Sequence, residues 1–110
     1  MKNPANIVIT FSMLIWCGCA GSSEEKIFRS HTVEIRAMQF QPAELSVNRG
    51  DTVVFINNDI LVHDVTEENS RKWTSSPLPA GASFKLIAEE STGYFCTLHP
   101  VMKGKLVIKE

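Results

Sequence analysis

Cysteine is scarce in this chain, and where it falls excludes more than its number does. Of three cysteines in 110 residues, Cys17 and Cys19 lie in the N-terminal stretch, which leaves Cys96 as the one thiol of the remaining chain. An exported protein normally uses cysteines in pairs, so no disulfide framework holds this fold and Cys96 needs another explanation. An excess of one charge is also missing. Eleven Lys and Arg against twelve Asp and Glu give a net charge of -1, which leaves no basic footprint for nucleic acid and no strong steering field. Sustained helical periodicity is absent beyond the first twenty or so residues, which argues against a helical bundle. A long apolar run is missing too, since Ile7 to Trp16 is shorter than the roughly 20 residues a bilayer crossing needs. What remains is ordinary for one globular domain, with 44% apolar and 21% charged residues.

The N-terminal stretch reads as a secretory signal: Lys2 first, then the apolar run, then small residues at Gly18, Ala20 and Gly21. Leu14 to Ser23 resembles the end of a bacterial lipoprotein signal, with Gly18 before a candidate lipidation residue, Cys19. Trp16 stands where such signals usually carry Leu, and cleavage after Ala20 is the plain alternative. The expected organisation is a signal region over 1–19, a polar tether over 20–30 and a folded domain over 31–110. Export follows, to the periplasm or to a membrane face through an N-terminal lipid.

The domain reads as short strands separated by turns. Thr32 to Ala37 alternates as a half-buried strand, and the alternation slips at Met38, as a bulge or a change of sheet would cause. Pro42 excludes a central strand position, and Leu45 and Val47 resume the period. Gly50 marks a turn before Thr52 to Ile56, which is apolar at both parities and predicts a central strand covered on both sides. His63 to Thr66, Ser83 to Ala88, Tyr94 to Cys96 and Lys105 to Lys109 complete the set, with Glu67 to Ser76 undetermined. Several short strands with turn signals between them predict an all-β sandwich.

Against that background one heptapeptide stands out, Cys96-Thr97-Leu98-His99-Pro100-Val101-Met102. It carries a thiolate, an imidazole and a thioether at i, i+3 and i+6, and a second imidazole, His63, lies upstream. Two nitrogens, one soft thiolate and one weak thioether are the donors of a mononuclear copper site cycling between Cu(II) and Cu(I). Each has a bland rival. His63 alone is a core or turn histidine, Met102 alone a gap-filler, and Cys96 with His99 half a zinc site, although zinc would want further ligands other than a thioether. His31 reads as an exposed residue at a strand start, and Trp73 as packing.

From Met38 to Lys109 the chain resembles a small cupredoxin of the plastocyanin, pseudoazurin and amicyanin group. The resemblance rests on Phe40 and Pro42, Leu45 and Val47, Gly50-Asp51-Thr52-Val53, Phe55, Asn57 and Asp59, His63-Asp64-Val65, Gly93-Tyr94 and the run Cys96 to Gly104. Two residues between Cys96 and His99, and two between His99 and Met102, resemble the short ligand loop of amicyanin. The resemblance implies a Greek-key β-sandwich, one copper ion on His63, Cys96, His99 and Met102, and electron carriage without substrate chemistry. It also puts Asp64 where the family often has Asn, so an added negative charge should lower the reduction potential. Pro100 restricts His99 and removes a competing N–H donor, and Gly104 is expected to let the chain turn into its last strand.

A periplasmic copper-binding or copper-delivery protein is the alternative, although the sequence has no cluster of Met or His residues. A dinuclear centre would need a second cysteine in the loop, and a multicopper oxidase would flank Cys96 with histidines where Phe95 and Thr97 stand. Transient redox partners are expected to dock near His99, on an apolar rim of Leu61, Leu98 and Val101, with the protein a monomer and no nucleic acid bound.

Overall fold

The computed structural model describes residues 26–109, and every regular element among them is a strand. The signal region, Cys19 and most of the tether lie outside the described residues. Eight strands form two four-stranded sheets: β1 (Ser30–Arg36), β2 (Gln39–Gln41), β3 (Glu44–Asn48), β4 (Thr52–Asn57), β5 (Thr66–Glu67), β6 (Ser83–Ile87), β7 (Thr92–Phe95) and β8 (Lys103–Lys109). One sheet runs β2-β1-β4-β6 and the other β3-β8-β7-β5, with β1 parallel to β4 and β3 parallel to β8. This is the expected all-β sandwich.

Period-2 alternation sends one face of each strand inward. Val33 and Ile35 of β1, Val47 of β3, Val53 and Phe55 of β4, Tyr94 of β7 and Leu106 of β8 are all buried. Tyr94 meets Phe40 and Phe55 edge-on, at ring separations of 4.9 and 5.1 Å, an arrangement favoured by the ring quadrupoles. Trp73 packs against both Phe84 and Phe55, as the packing reading required. Gly104 already belongs to β8, and its role is space: a Cβ there would collide with the Tyr94 ring.

Three expectations about the strands need correcting. The parity slip at Met38 is neither a bulge nor a change of sheet. Arg36 pairs with Gln39, so Ala37 and Met38 are the two central residues of a tight hairpin turn. Both have positive φ, 52° and 62°, the requirement of a type I′ turn normally met by Asn or Gly. For a residue with a Cβ, that conformation costs roughly 1–2 kcal/mol. β4 is central in its sheet, but it is covered on one face only: Val53, Phe55 and Asn57 are buried, whereas Val54 and Ile56 are half-exposed. His63 to Thr66 is not a continuous strand either. His63 forms a single bridge with Leu78, and β5 begins only at Thr66.

The undetermined stretch 67–76 is organised by one buried carboxylate. Glu67 accepts hydrogen bonds from the N–H groups of Asn69, Ser70 and Lys72 and from the hydroxyls of Ser70 and Thr92. The Ser70 N–H and Thr92 hydroxyl bonds lead in holding its pKa down at about 2. Asp51 does comparable work before β4. It accepts from the Arg29 and Asn48 N–H groups and sits 2.9 Å from His31 Nε2, with its pKa also lowered to about 2, first by the Arg29 bond. His31 is therefore a half-buried partner of a buried aspartate, not a free surface residue.

Candidate metal centre

β4 and β7 deliver the site. β4 ends at Asn57, whose side-chain amide donates to the Leu61 and Leu78 carbonyls at 2.8 and 2.7 Å and so fixes the curve of residues 58–62. His63 then exchanges both backbone hydrogen bonds with Leu78, at 3.2 and 2.7 Å, which holds the imidazole at the core end of that curve. β7 ends at Phe95, and Cys96 opens a loop closed on itself by three backbone bonds: Cys96 N–H to the Met102 carbonyl, His99 N–H to Cys96, and Met102 N–H to His99. Spacing three residues apart thus returns His99 and Met102 to the same end of the sandwich as Cys96.

The side chains converge. Cys96 Sγ lies 3.8 Å from His63 Nδ1 and 3.7 Å from His99 Nδ1, and the donor atoms of these three residues all lie within 4.8 Å of one another. A metal bond of about 2.3 Å to sulfur and one of about 2.0 Å to nitrogen, opened to about 120°, separate the two atoms by about 3.7 Å. The spacing therefore fits one first-row ion shared by the three donors. His63 and Cys96 are fully buried, Met102 is 2% exposed, and His99 is the half-exposed member. Two imidazoles, one thiolate and a nearby thioether suit copper, whose reduced form favours soft sulfur and whose oxidised form accepts imidazole.

Both histidines turn Nδ1 towards Cys96 Sγ, and for His63 the reason is visible. Its Nε2 lies 3.0 Å from Asp59 Oδ2. An ionised carboxylate only accepts, so Nε2 carries the proton and Nδ1 is left as a bare lone pair. Asp59 is itself fixed by the N–H groups of Met38 and Ile60, at 3.0 and 2.8 Å. Its pKa is held below the usual value, chiefly by the Met38 bond and then by His63. Sequence reading assigned Asp59 no role at the site, because its partners Met38, Ile60 and His63 meet only where the β1–β2 turn packs on the segment after β4.

Asp64 ties the two ligand segments together. Its N–H points at Cys96 Sγ, 3.4 Å away, and its carboxylate accepts from the Thr97 N–H at 2.8 Å, the Thr97 hydroxyl and the Thr66 hydroxyl. Pro100 sits on the exposed outer turn of the loop. Leu61, Leu98 and Val101 are exposed, as the apolar rim required, and Ile60 extends the set at 90% exposure.

Comparison with known proteins agrees with this geometry. Residues 29–109 match the model for copper binding proteins of the plastocyanin/azurin family. The chain belongs to that family. It is 31% identical over 98 residues to amicyanin-alpha of Methylorubrum extorquens, covering 84% of this chain and 82% of that one. A reduced amicyanin variant superposes with a TM-score of 0.67 at 29% identity, over 73% of this chain and 82% of the other. The fold alone is shared with a purple cupredoxin from Nitrosopumilus maritimus, at a TM-score of 0.68 and 23% identity over 72% of this chain and 99% of that one. The protein is an amicyanin-like cupredoxin, a blue-copper electron carrier that holds one copper ion.

Proposed function

We propose that His63 Nδ1, Cys96 Sγ and His99 Nδ1 would hold the copper, with the nearby Met102 thioether as a weaker fourth donor. The convergence of three donor atoms around the buried Cys96 thiol carries this reading. The bound ion supplies a one-electron Cu(II)/Cu(I) couple. The chain's part is to keep the donors still: the three-bond loop, Asp64 and Asp59 leave the ligands little freedom to rearrange between oxidation states. His99 is the half-exposed ligand and stands on the apolar end formed with Ile60, Leu61, Leu98 and Val101. Redox partner proteins dock there transiently, and the protein works as a monomeric carrier with no reaction of its own.

The remaining proposals concern its address. The signal-like N-terminus supports export to the periplasm, and Gly18-Cys19 supports a lipid anchor on Cys19 with the following residues as a short tether. Mass spectrometry of the natural N-terminus separates a lipidated Cys19 from a chain cut after Ala20. For the carrier itself, the protein loaded with Cu(II) should show an intense visible thiolate-to-copper band and reversible one-electron voltammetry. A colourless complex that yields its copper readily to a chelator would replace the carrier by a copper-delivery protein.

A further inference from the structure

His63, Cys96 and Met102 are all buried, so copper has to reach them through the surface. A groove of about 280 Å³ runs along one side of the ligand loop, and Met102 forms part of its wall. Met38, Gln39, Phe40, Ala43, Val101 and Lys103 complete the lining. The two thioethers are the soft donors in this groove, and its lining contains no carboxylate and no imidazole. Lys103 directs its ammonium towards Glu68, 3.7 Å away, which draws the positive charge off the groove. The Gln39 carboxamide is the one neutral oxygen-bearing side chain of the lining, so two thioethers set the balance towards Cu(I) over Cu(II), which prefers nitrogen and oxygen donors.

Met38 is also held in place with unusual care. It occupies a left-handed backbone position, φ 62°, in a turn that Asn or Gly would form with less strain. Its N–H is bound by Asp59, the same carboxylate that orients His63. Backbone strain maintained by a group belonging to the metal site points to a use for the residue that bears it.

We propose that Met38 and Met102 form an acquisition site for Cu(I), from which the ion passes to the final ligands. This rests on the ligand set proposed above. The transfer is a ligand exchange with no change of oxidation state. Met38 releases the ion, Met102 keeps it, and Cys96 Sγ, His63 Nδ1 and His99 Nδ1 take it up while the Cys96 thiol proton passes to buffer.

The test is the rate at which the metal-free, full-length protein removes Cu(I) from its coloured bicinchoninate complex. Met38→Leu keeps the size and apolar character of the side chain but removes the sulfur. It should slow transfer about tenfold, the low end of what changes just outside a ligand set cost. The final copper content, and the visible band after oxidation, should match those of the unaltered protein. Equal transfer rates would overturn the acquisition site and leave the copper carrier intact, whereas failure of both proteins to develop the band would remove the ligand set itself. Silver(I), a closed-shell stand-in for Cu(I), gives a second reading without a variant. With methyl-labelled methionine, less than one equivalent should shift the Met38 and Met102 methyl resonances together. A shift of Met102 alone would also overturn the proposal.

Discussion

β4 has a carboxylate–imidazole pair at each end, and the two pairs do different things. Before the strand, Asp51 Oδ2 lies 2.9 Å from His31 Nε2; after it, Asp59 Oδ2 lies 3.0 Å from His63 Nε2. Six residues at about 3.3 Å each put the pairs about 20 Å apart. The local chemistry is nearly the same: each carboxylate also accepts backbone N–H groups, and each has its pKa lowered. What differs is the environment of the second ring nitrogen. His63 Nδ1 faces a buried thiol and another imidazole, whereas the cluster of ligand atoms does not include His31. A carboxylate–histidine pair is therefore a positioning device, which becomes part of a metal centre only where other donors meet it. At the start of β4 the same device closes the sandwich, tying Arg29 and the turn at Asn48 to the strand.

The largest expected effect belongs to the thiol. Cys96→Ser should abolish the visible copper band and weaken copper binding by more than about 100-fold, since a hydroxyl is a hard, weakly acidic donor. Circular dichroism should show the β-sandwich retained. A surviving band would dissolve the contrast between the two ends of β4.

Next come the carboxylates themselves. Asp59→Ala frees the His63 ring and its tautomer, and should lower copper affinity about tenfold in a competition titration. Asp51→Ala should leave that titration unchanged and instead lower the midpoint of thermal unfolding. If both variants gave the same pattern, the division of labour would fail.

Acid should act through Asp51 and Glu67, both buried and both held near a pKa of about 2 from usual values of 3.8 and 4.5. Between those values the unfolded chain binds more protons than the folded one, so stability falls as pH falls. Their contribution is complete above about pH 5 and disappears as the pH drops through about 2. Denaturant titrations of the metal-free protein across that range should follow this fall, and Glu67→Gln should flatten it.

The smallest effect should come from Asp64. Asn in its place can still accept the Thr97 N–H, and the two threonine hydroxyls can rotate to suit an amide, so the link between ligand segments survives. Removing a negative charge beside Cys96 favours Cu(I), so voltammetry should show a higher potential for Asp64→Asn. A tenfold change in relative affinity for the two oxidation states corresponds to about 59 mV, and the shift should lie within that. An unchanged or lower potential would mean that the carboxylate's charge is already neutralised by its hydrogen bonds.

Much of the ligand end was legible in the residues because its chemistry is local. Cys96, His99 and Met102 share one loop, and the leftover thiol demanded an explanation before any fold was known. The strands were legible wherever apolar residues alternated. The Ala37–Met38 turn was not, because it lacks the Asn or Gly that marks such turns and forms where tertiary bonds override local preference. The His31–Asp51 pair was equally hidden. It depends on β1 and β4 lying parallel with Ser30 opposite Thr52, a register that no short motif encodes. Glu67 looked like one more acid in a polar stretch, and only the loop folded around it shows it as buried.

Copper-edge X-ray absorption on the loaded protein addresses the central claim most directly. Convergence of His63, Cys96 and His99 predicts one short copper–sulfur distance and two copper–nitrogen distances, with the sulfur contribution lost in Cys96→Ser and preserved in His31→Ala. A shell of nitrogen and oxygen alone in the unaltered protein, or one changed by His31→Ala, would contradict it.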